Sequence, residues 1–334
     1  MKGQKKSTLT ILKVVTTFVV IGSMVIAYGC GGGGGGGGTS SGINYAGVTF
    51  QAIIDENNAI DISTGSLFGE EMGSNLNVLG AVSENTNPGK SPLVFDIASY
   101  FQKVIHKIEN STKQNAAYVG AIVSESETIA GSCGGSFFIN VTADDQTGNT
   151  NGSLTFNNFC EPEFKANGSM NLSGNINVNT EEINYFEMTF NSINLISGQE
   201  SIDMKGSIDF NLQSSPMRMT MSFVLKDNNL NKTYKYENFV YEYTQGFGFI
   251  DMTLTGRYYD HDSGYVIIAT ESPLRIYEYD LWPSSGTITA AGDLSTKARL
   301  IVIDSSSFFV EADTDGDGLY DDYSSGALLW SSVL

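Results

Sequence analysis

Side chains that carry most proton and transition-metal chemistry at neutral pH are nearly missing from this chain. Its 334 residues include two histidines, His106 and His261, and three cysteines. The cysteines show neither C-x-x-C nor C-x-x-C-H spacing, which excludes a zinc ribbon, a thioredoxin-like site and c-type haem attachment. Cationic residues are scarce too. Lys and Arg number 18 against 37 Asp and Glu, a formal charge of −19; so acidic a surface repels phosphate backbones and argues against nucleic acid as a partner. No Walker loop, HExxH or dinucleotide fingerprint occurs, so no enzyme is expected. What is present in quantity is core material. Hydrophobic residues make up 41% and aromatics 11%, enough to bury a large interior rather than stay disordered.

The first thirty residues read as an export leader. Lys2, Lys5 and Lys6 give a positive start, Val14 to Ala27 is an apolar run, and Ala27-Tyr28-Gly29-Cys30 closes it. The run is short for a spanning helix, and Lys13 inside the stretch weighs against an uncleaved anchor. The closing residues resemble a bacterial lipobox, which implies acylation of Cys30 and a firm hold on a membrane. Gly31 to Gly38 and Thr39-Ser40-Ser41-Gly42 follow, a composition expected to act as a flexible tether. Gly31 rather than Asp after the cysteine implies sorting to the outer membrane. With Cys30 used for lipid, Cys133 and Cys160 remain as an even pair in an oxidising space. A bridge between them is preferred over two buried thiols, since no Lys, Arg or His adjoins either one.

The expected organisation is a leader (1–29), a lipid-anchored tether (30–42), a helical segment (43–115) and an antiparallel β domain (116–334). Asn58-Ala59 is placed to cap a short helix carrying Ile60, Ile62, Leu67, Phe68 and Met72. Ser91-Pro92 starts a stronger one, Ser91–Glu109, with apolar residues at a 3.6 period and His106 beside them. Farther on the period changes to two. Met170, Leu172, Gly174, Ile176 and Val178 alternate with polar residues, as do Ile202 to Leu212, Met217 to Leu225 and Ile250 to Tyr258. Each such run is a strand with one wet and one dry face. Gly-Ser or Gly-Thr pairs at Gly135, Gly152, Gly168, Gly206 and Gly286 read as turns before strands. The expected fold is therefore mainly β with an N-terminal helical part, a long antiparallel meander curled into a barrel or half-barrel. A transmembrane β-barrel shares the alternation but fits poorly with a lipid anchor and a helical N-terminal part.

The sharpest motif is Asp313-Thr314-Asp315-Gly316-Asp317-Gly318-Leu319-Tyr320-Asp321-Asp322. D-x-D-x-D-G places carboxylates at positions 1, 3 and 5 around a glycine turn, as a hard cation with oxygen ligands requires. The expected ligand set for calcium is Asp313, Asp315, Asp317, the Leu319 carbonyl and Asp321, in a structural role. Position 12 is Ser324 instead of a bidentate Glu, and strands flank the loop, so it resembles the loops of thrombospondin type 3 repeats and dockerins more than an EF-hand. Asp260-His261-Asp262 is a poor chelate in a hairpin tip and reads as a solvated turn. Gly38-Thr39-Ser40-Ser41-Gly42 matches G-x-S-x-G by letters alone, for a polyglycine run offers neither the strand nor the helix of a nucleophile elbow.

Several stretches taken together resemble a group of uncharacterised Gram-negative lipoproteins with polyglycine after the lipid cysteine. They are Tyr45-Ala46-Gly47-Val48-Thr49, Cys133-Gly134-Gly135-Ser136 with Phe156-Asn157-Asn158-Phe159-Cys160, Gly256-Arg257-Tyr258-Tyr259, Pro283-Ser284-Ser285-Gly286, Lys297-Ala298-Arg299-Leu300, the Asp/Gly loop and Trp330. The resemblance implies a lipoprotein with a shared β domain and names no substrate. The expected function is a non-enzymatic envelope protein of structural or binding role. The alternative is a carrier of acyl chains or lipoproteins in a half-open β-barrel, suggested by methionines on the dry faces (Met170, Met188, Met204, Met217, Met219, Met221, Met252).

Overall fold

The computed structural model describes residues 43–74, 122–144, 146–162, 164–177, 183–197, 200–277, 280 and 282–332. The leader, Cys30, the tether, the Ser91–Glu109 helix with His106, and Val178 lie outside them. The described chain is mainly β, an antiparallel meander with a helix near its N-terminus. It divides into two compact units. Leu225–Asn231 belongs to the first, while Asn44 onward, Ser214–Val224 and Lys232 onward belong to the second.

The first unit carries β1 (Ile122–Ala130), β2 (Gly134–Asp144), β3 (Asn149–Glu161), β4 (Phe164–Ile176), β5 (Ile183–Ser197) and β6 (Glu200–Asn211). Each pairs antiparallel with its chain neighbours. The two-residue period decides which side chains are dry: Met170 and Leu172 on β4, Phe186, Met188 and Phe190 on β5, and Ile202, Met204, Ile208 and Phe210 on β6 are all buried. Phe137, Phe156 and Phe159 form an aromatic cluster with ring centroids 4.9 to 6.2 Å apart. Beside it Cys133 and Cys160 are joined in a disulfide, Cα atoms 5.1 Å apart.

The second unit contains the first eight residues of β7 (Met217–Asp227), β8 (Lys232–Gln245), β9 (Phe249–Asp260), β10 (Gly264–Tyr277), β11 (Ser285–Ala291), β12 (Lys297–Asp304), β13 (Ser307–Asp313), β14 (Tyr323–Ser324) and β15 (Leu328–Leu329). From β8 to β13 each strand pairs with the next, and β14 and β15 both pair with β13. Among the described residues neither unit closes its ladder on itself, so neither is a closed barrel. Helix α1 (Ala59–Ser74) packs against β9 to β13. Ala59, Ile62, Ser63, Ser66 and Leu67 are buried, the i, i+3, i+4, i+7, i+8 spacing of one helix face. The Tyr236 hydroxyl donates to the Gly65 carbonyl at 2.7 Å, which fixes that face on the sheet.

Two expectations change. Residues 44–55 are not helical but form an extended strap across the strand ends, 56–58 make a turn, and the helix begins only at Ala59. Asn58 supplies the first helical acceptor, its carbonyl taking the Ile62 N–H at 2.9 Å. Its side chain turns backward instead of capping: Oδ1 accepts the Asp55 N–H, and Nδ2 donates to the Ile53 carbonyl. The Gly-Ser and Gly-Thr pairs, read as turns, lie inside strands, and several sit where the pairing register shifts. At Gly135 two residues, Asn158 and Phe159, face one. At Gly256 the two are Asn238 and Phe239. A bulged strand crowds the residue opposite it, and only glycine tolerates the contact: a Cβ on Gly135 would lie 1.9 Å from the Asn158 carbonyl oxygen, and one on Gly256 would lie 2.6 Å from Phe239 Cα.

Candidate metal centre

The acidic loop grows out of the end of β13. Asp313 is the last residue of that strand, opposite Lys297 on β12, and is fully buried. The chain returns after nine residues as β14, whose Tyr323 and Ser324 pair with Ala312 and Glu311. Both loop ends are thus pinned to one strand.

Inside the loop, carboxylates take the backbone donors in order. Asp313 Oδ1 accepts the Gly316 N–H at 2.7 Å, and Oδ2 accepts the Gly318 N–H at 2.9 Å. Asp315 accepts from Asp317 at 3.0 Å, and Asp317 from Leu319 at 2.8 Å. Gly316 and Gly318 have φ of +80° and +95°, a left-handed conformation that favours glycine. One carboxylate oxygen from each of Asp313, Asp315 and Asp317 lies within 4.8 Å of the others. Three acidic oxygens so close repel one another in the absence of a cation, and three oxygens are part of the six to eight that calcium takes.

Of the expected ligands, Asp313, Asp315 and Asp317 come together; Asp321 is exposed and outside their group. Its neighbour Asp322 turns to the loop instead. One Asp322 oxygen accepts the Thr314 N–H (2.7 Å), the Thr314 hydroxyl (3.1 Å) and the Asp315 N–H (3.1 Å). Those donors, the Thr314 N–H foremost, hold the Asp322 carboxyl below the usual carboxylate range. Sequence reasoning missed Asp322 because a ligand template scores alternate positions and says nothing about which acid accepts backbone donors. Leu319, whose carbonyl was the expected fourth ligand, spends its N–H on Asp317, and its side chain is exposed.

The Asp260-His261-Asp262 tip is a turn with Asp262 exposed, as expected, and it has a further use. His261 Nδ1 lies 3.2 Å from both the N–H and the hydroxyl oxygen of Thr233, and that hydroxyl accepts the Ala46 N–H at 3.0 Å. The Tyr45 hydroxyl reaches the carbonyls of Asp260 (2.7 Å) and Val48 (2.8 Å), and the Val48 N–H donates to the His261 carbonyl at 2.9 Å. Burial and the nearby Asp260 push the Tyr45 phenol well above its ordinary value. Lys232 pairs with Asp262 at 2.5 Å. The tip is therefore where the strap docks. Among the described residues, the three aspartates of the loop form the one group of acidic, Cys or His side chains able to share a metal ion.

No protein-family model, curated protein or solved structure matches this chain.

Proposed function

We propose that this is a lipid-anchored protein of the cell envelope, sorted to the outer membrane, with a non-enzymatic structural or binding role and a structural calcium in its C-terminal loop. The observation that carries the reading is the order of the first segments: basic start, apolar run, Cys30, glycine run, then a β body. The resemblance to polyglycine lipoproteins supports it. The converging carboxylates of Asp313, Asp315 and Asp317 support the calcium.

The test of the anchor is mass spectrometry of the N-terminal peptide from the expressed full chain, with metabolic palmitate labelling. The expected result is an acylated Cys30 at the new N-terminus, lost in Cys30→Ala. A retained leader with an unmodified Cys30 overturns the reading. Membrane fractionation then separates outer from inner membrane.

A further inference from the structure

The strap is fastened within the second unit at three places along its length. The Phe50 carbonyl accepts the Tyr265 N–H at 3.0 Å, and the Ala52 N–H donates to the Tyr265 carbonyl at 2.8 Å. Ile54 donates to the Thr296 hydroxyl at 2.9 Å, and the Ala52 carbonyl accepts the Asp293 N–H. Those two fastenings use amides and a hydroxyl, groups that do not change charge between about pH 5 and pH 8. The remaining one, at residues 45–48, rests on a ring nitrogen. His261 Nδ1 accepts the Thr233 N–H at 3.2 Å, and the Thr233 hydroxyl oxygen lies at the same distance. With its hydrogen directed at Nδ1, that hydroxyl presents a lone pair to the Ala46 N–H at 3.0 Å. The strap lies tight on the turn: a Cβ on Gly47 would stand 2.5 Å from the His261 carbonyl oxygen, which itself accepts the Val48 N–H.

An imidazole that accepts through Nδ1 carries its hydrogen on Nε2 and is neutral. A proton on Nδ1 would meet the Thr233 N–H donor against donor, and the hydroxyl would have to turn its hydrogen away from the ring. Thr233 is buried, so its N–H would lose its acceptor where water cannot replace it until the turn opens. The charges nearby nevertheless invite that proton. Asp260 and Asp262 flank His261, and Asp61 on α1 is close enough to sense both; Lys232 at the start of β8 opposes them and pairs with Asp262. The Tyr45 phenol of the strap and the Tyr258 phenol of β9 are pushed well above their ordinary value, chiefly by burial, and stay neutral.

We infer that His261 is a pH-sensitive latch: neutral, it fastens residues 45–48 to the start of β8 and the β9–β10 turn; protonated, it releases them, while Phe50 to Ile54 stay bound. What the latch sets is reach. The chain leading into the body is rooted at Tyr45 when the ring is neutral and at Phe50 when it is charged, a gain of roughly 17 Å of extended chain.

The experiment is hydrogen exchange of the full chain from about pH 8 to about pH 5, read at single amides by fragmentation mass spectrometry. Rates are divided by those of the unfolded chain at each pH. Protection of the Ala46 and Val48 amides is expected to fall roughly tenfold on acidification, the worth of one or two hydrogen bonds, with Ala52 and Ile54 unchanged. In His261→Asn, which keeps an acceptor near Nδ1 and takes no proton, protection should stay level. No fall in the wild type, or a fall at all four amides alike, overturns the latch. An equal fall in His261→Asn also overturns it and assigns the response to Asp61, Asp260 and Asp262. Nitrogen NMR of the labelled imidazoles in the wild type decides the matter even where the variant fails to fold. The expected spectrum has a bare Nδ1 at about pH 8 that gains its proton in step with the loss of protection at Ala46. A proton already on Nδ1 there, or a ring that titrates while Ala46 and Val48 stay protected, overturns the inference.

Discussion

Asp313 Oδ1 accepts the Gly316 N–H at 2.7 Å, so the buried acid that ends β13 also folds back the chain that leaves it. The loop is thereby shaped by the protein's own backbone donors, and a cation has only to neutralise oxygens already brought together. Calcium is expected to raise the melting temperature, and Asp315→Ala to abolish the rise while leaving the melting temperature in chelator nearly unchanged. Calorimetry with calcium and with chelator checks this. Identical melting curves in both would remove calcium from the account.

Acid should loosen three turns at once. Asp144, Asp304 and Asp322 accept hydrogen bonds chiefly from Gln146, Ser306 and Thr314 respectively, and all three carboxyls are held below the usual carboxylate range. A folded-state pKa below the unfolded value of about 3.9 means that the unfolded chain binds protons first as pH falls. The stabilisation is complete above that value and disappears as pH drops through the lowered folded pKa. Urea unfolding from pH 7 down to pH 2.5 should show stability falling below about pH 4, with a shallower fall in Asp322→Asn. An unchanged pH profile in that variant would show that Asp322 is not held low.

A turn glycine and a bulge glycine separate backbone strain from crowding. Gly248→Ala meets nothing within 4 Å but keeps a φ of +76°, and should cost about 1 kcal/mol. Gly256→Ala carries φ +154° and also drives a Cβ to 2.6 Å from Phe239 Cα, and should cost about 2–4 kcal/mol. Denaturant midpoints at constant slope measure both. Equal losses would mean that the β8–β9 bulge yields freely.

Removing the disulfide as the double variant Cys133→Ala/Cys160→Ala reopens a chain segment of 27 residues. The expected loss is about 3–4 kcal/mol in the chain-entropy model. The same experiment on the wild-type protein in reductant should give a similar loss.

The strands were legible because alternation is a local property. A run such as Met219, Met221, Phe223 and Leu225 states which face is dry before any partner is known, and all four are buried. The bulges were not legible. Gly135 and Gly256 are required by what lies on the next strand, and a glycine in a sequence does not name its neighbour across a ladder. The strap was hidden for a related reason. Val48, Phe50, Ala52 and Ile54 do alternate, but only Ala52 and Ile54 are buried, too short a signal beside the helix that follows. At the acidic loop, spacing announced Asp313, Asp315 and Asp317, while Asp322 depends on the backbone donors of Thr314 and Asp315.

The strap also dictates an order of assembly. Ala46 waits for Thr233, 187 residues downstream, and Ile54 for Thr296, 242 downstream. Contacts so distant in sequence close late, after the loop entropy of the intervening chain has been overcome. A ribosome or an export channel that delivers this polypeptide from its N-terminus therefore releases the strap long before its partners exist. Residues made early are thus among the last to be locked.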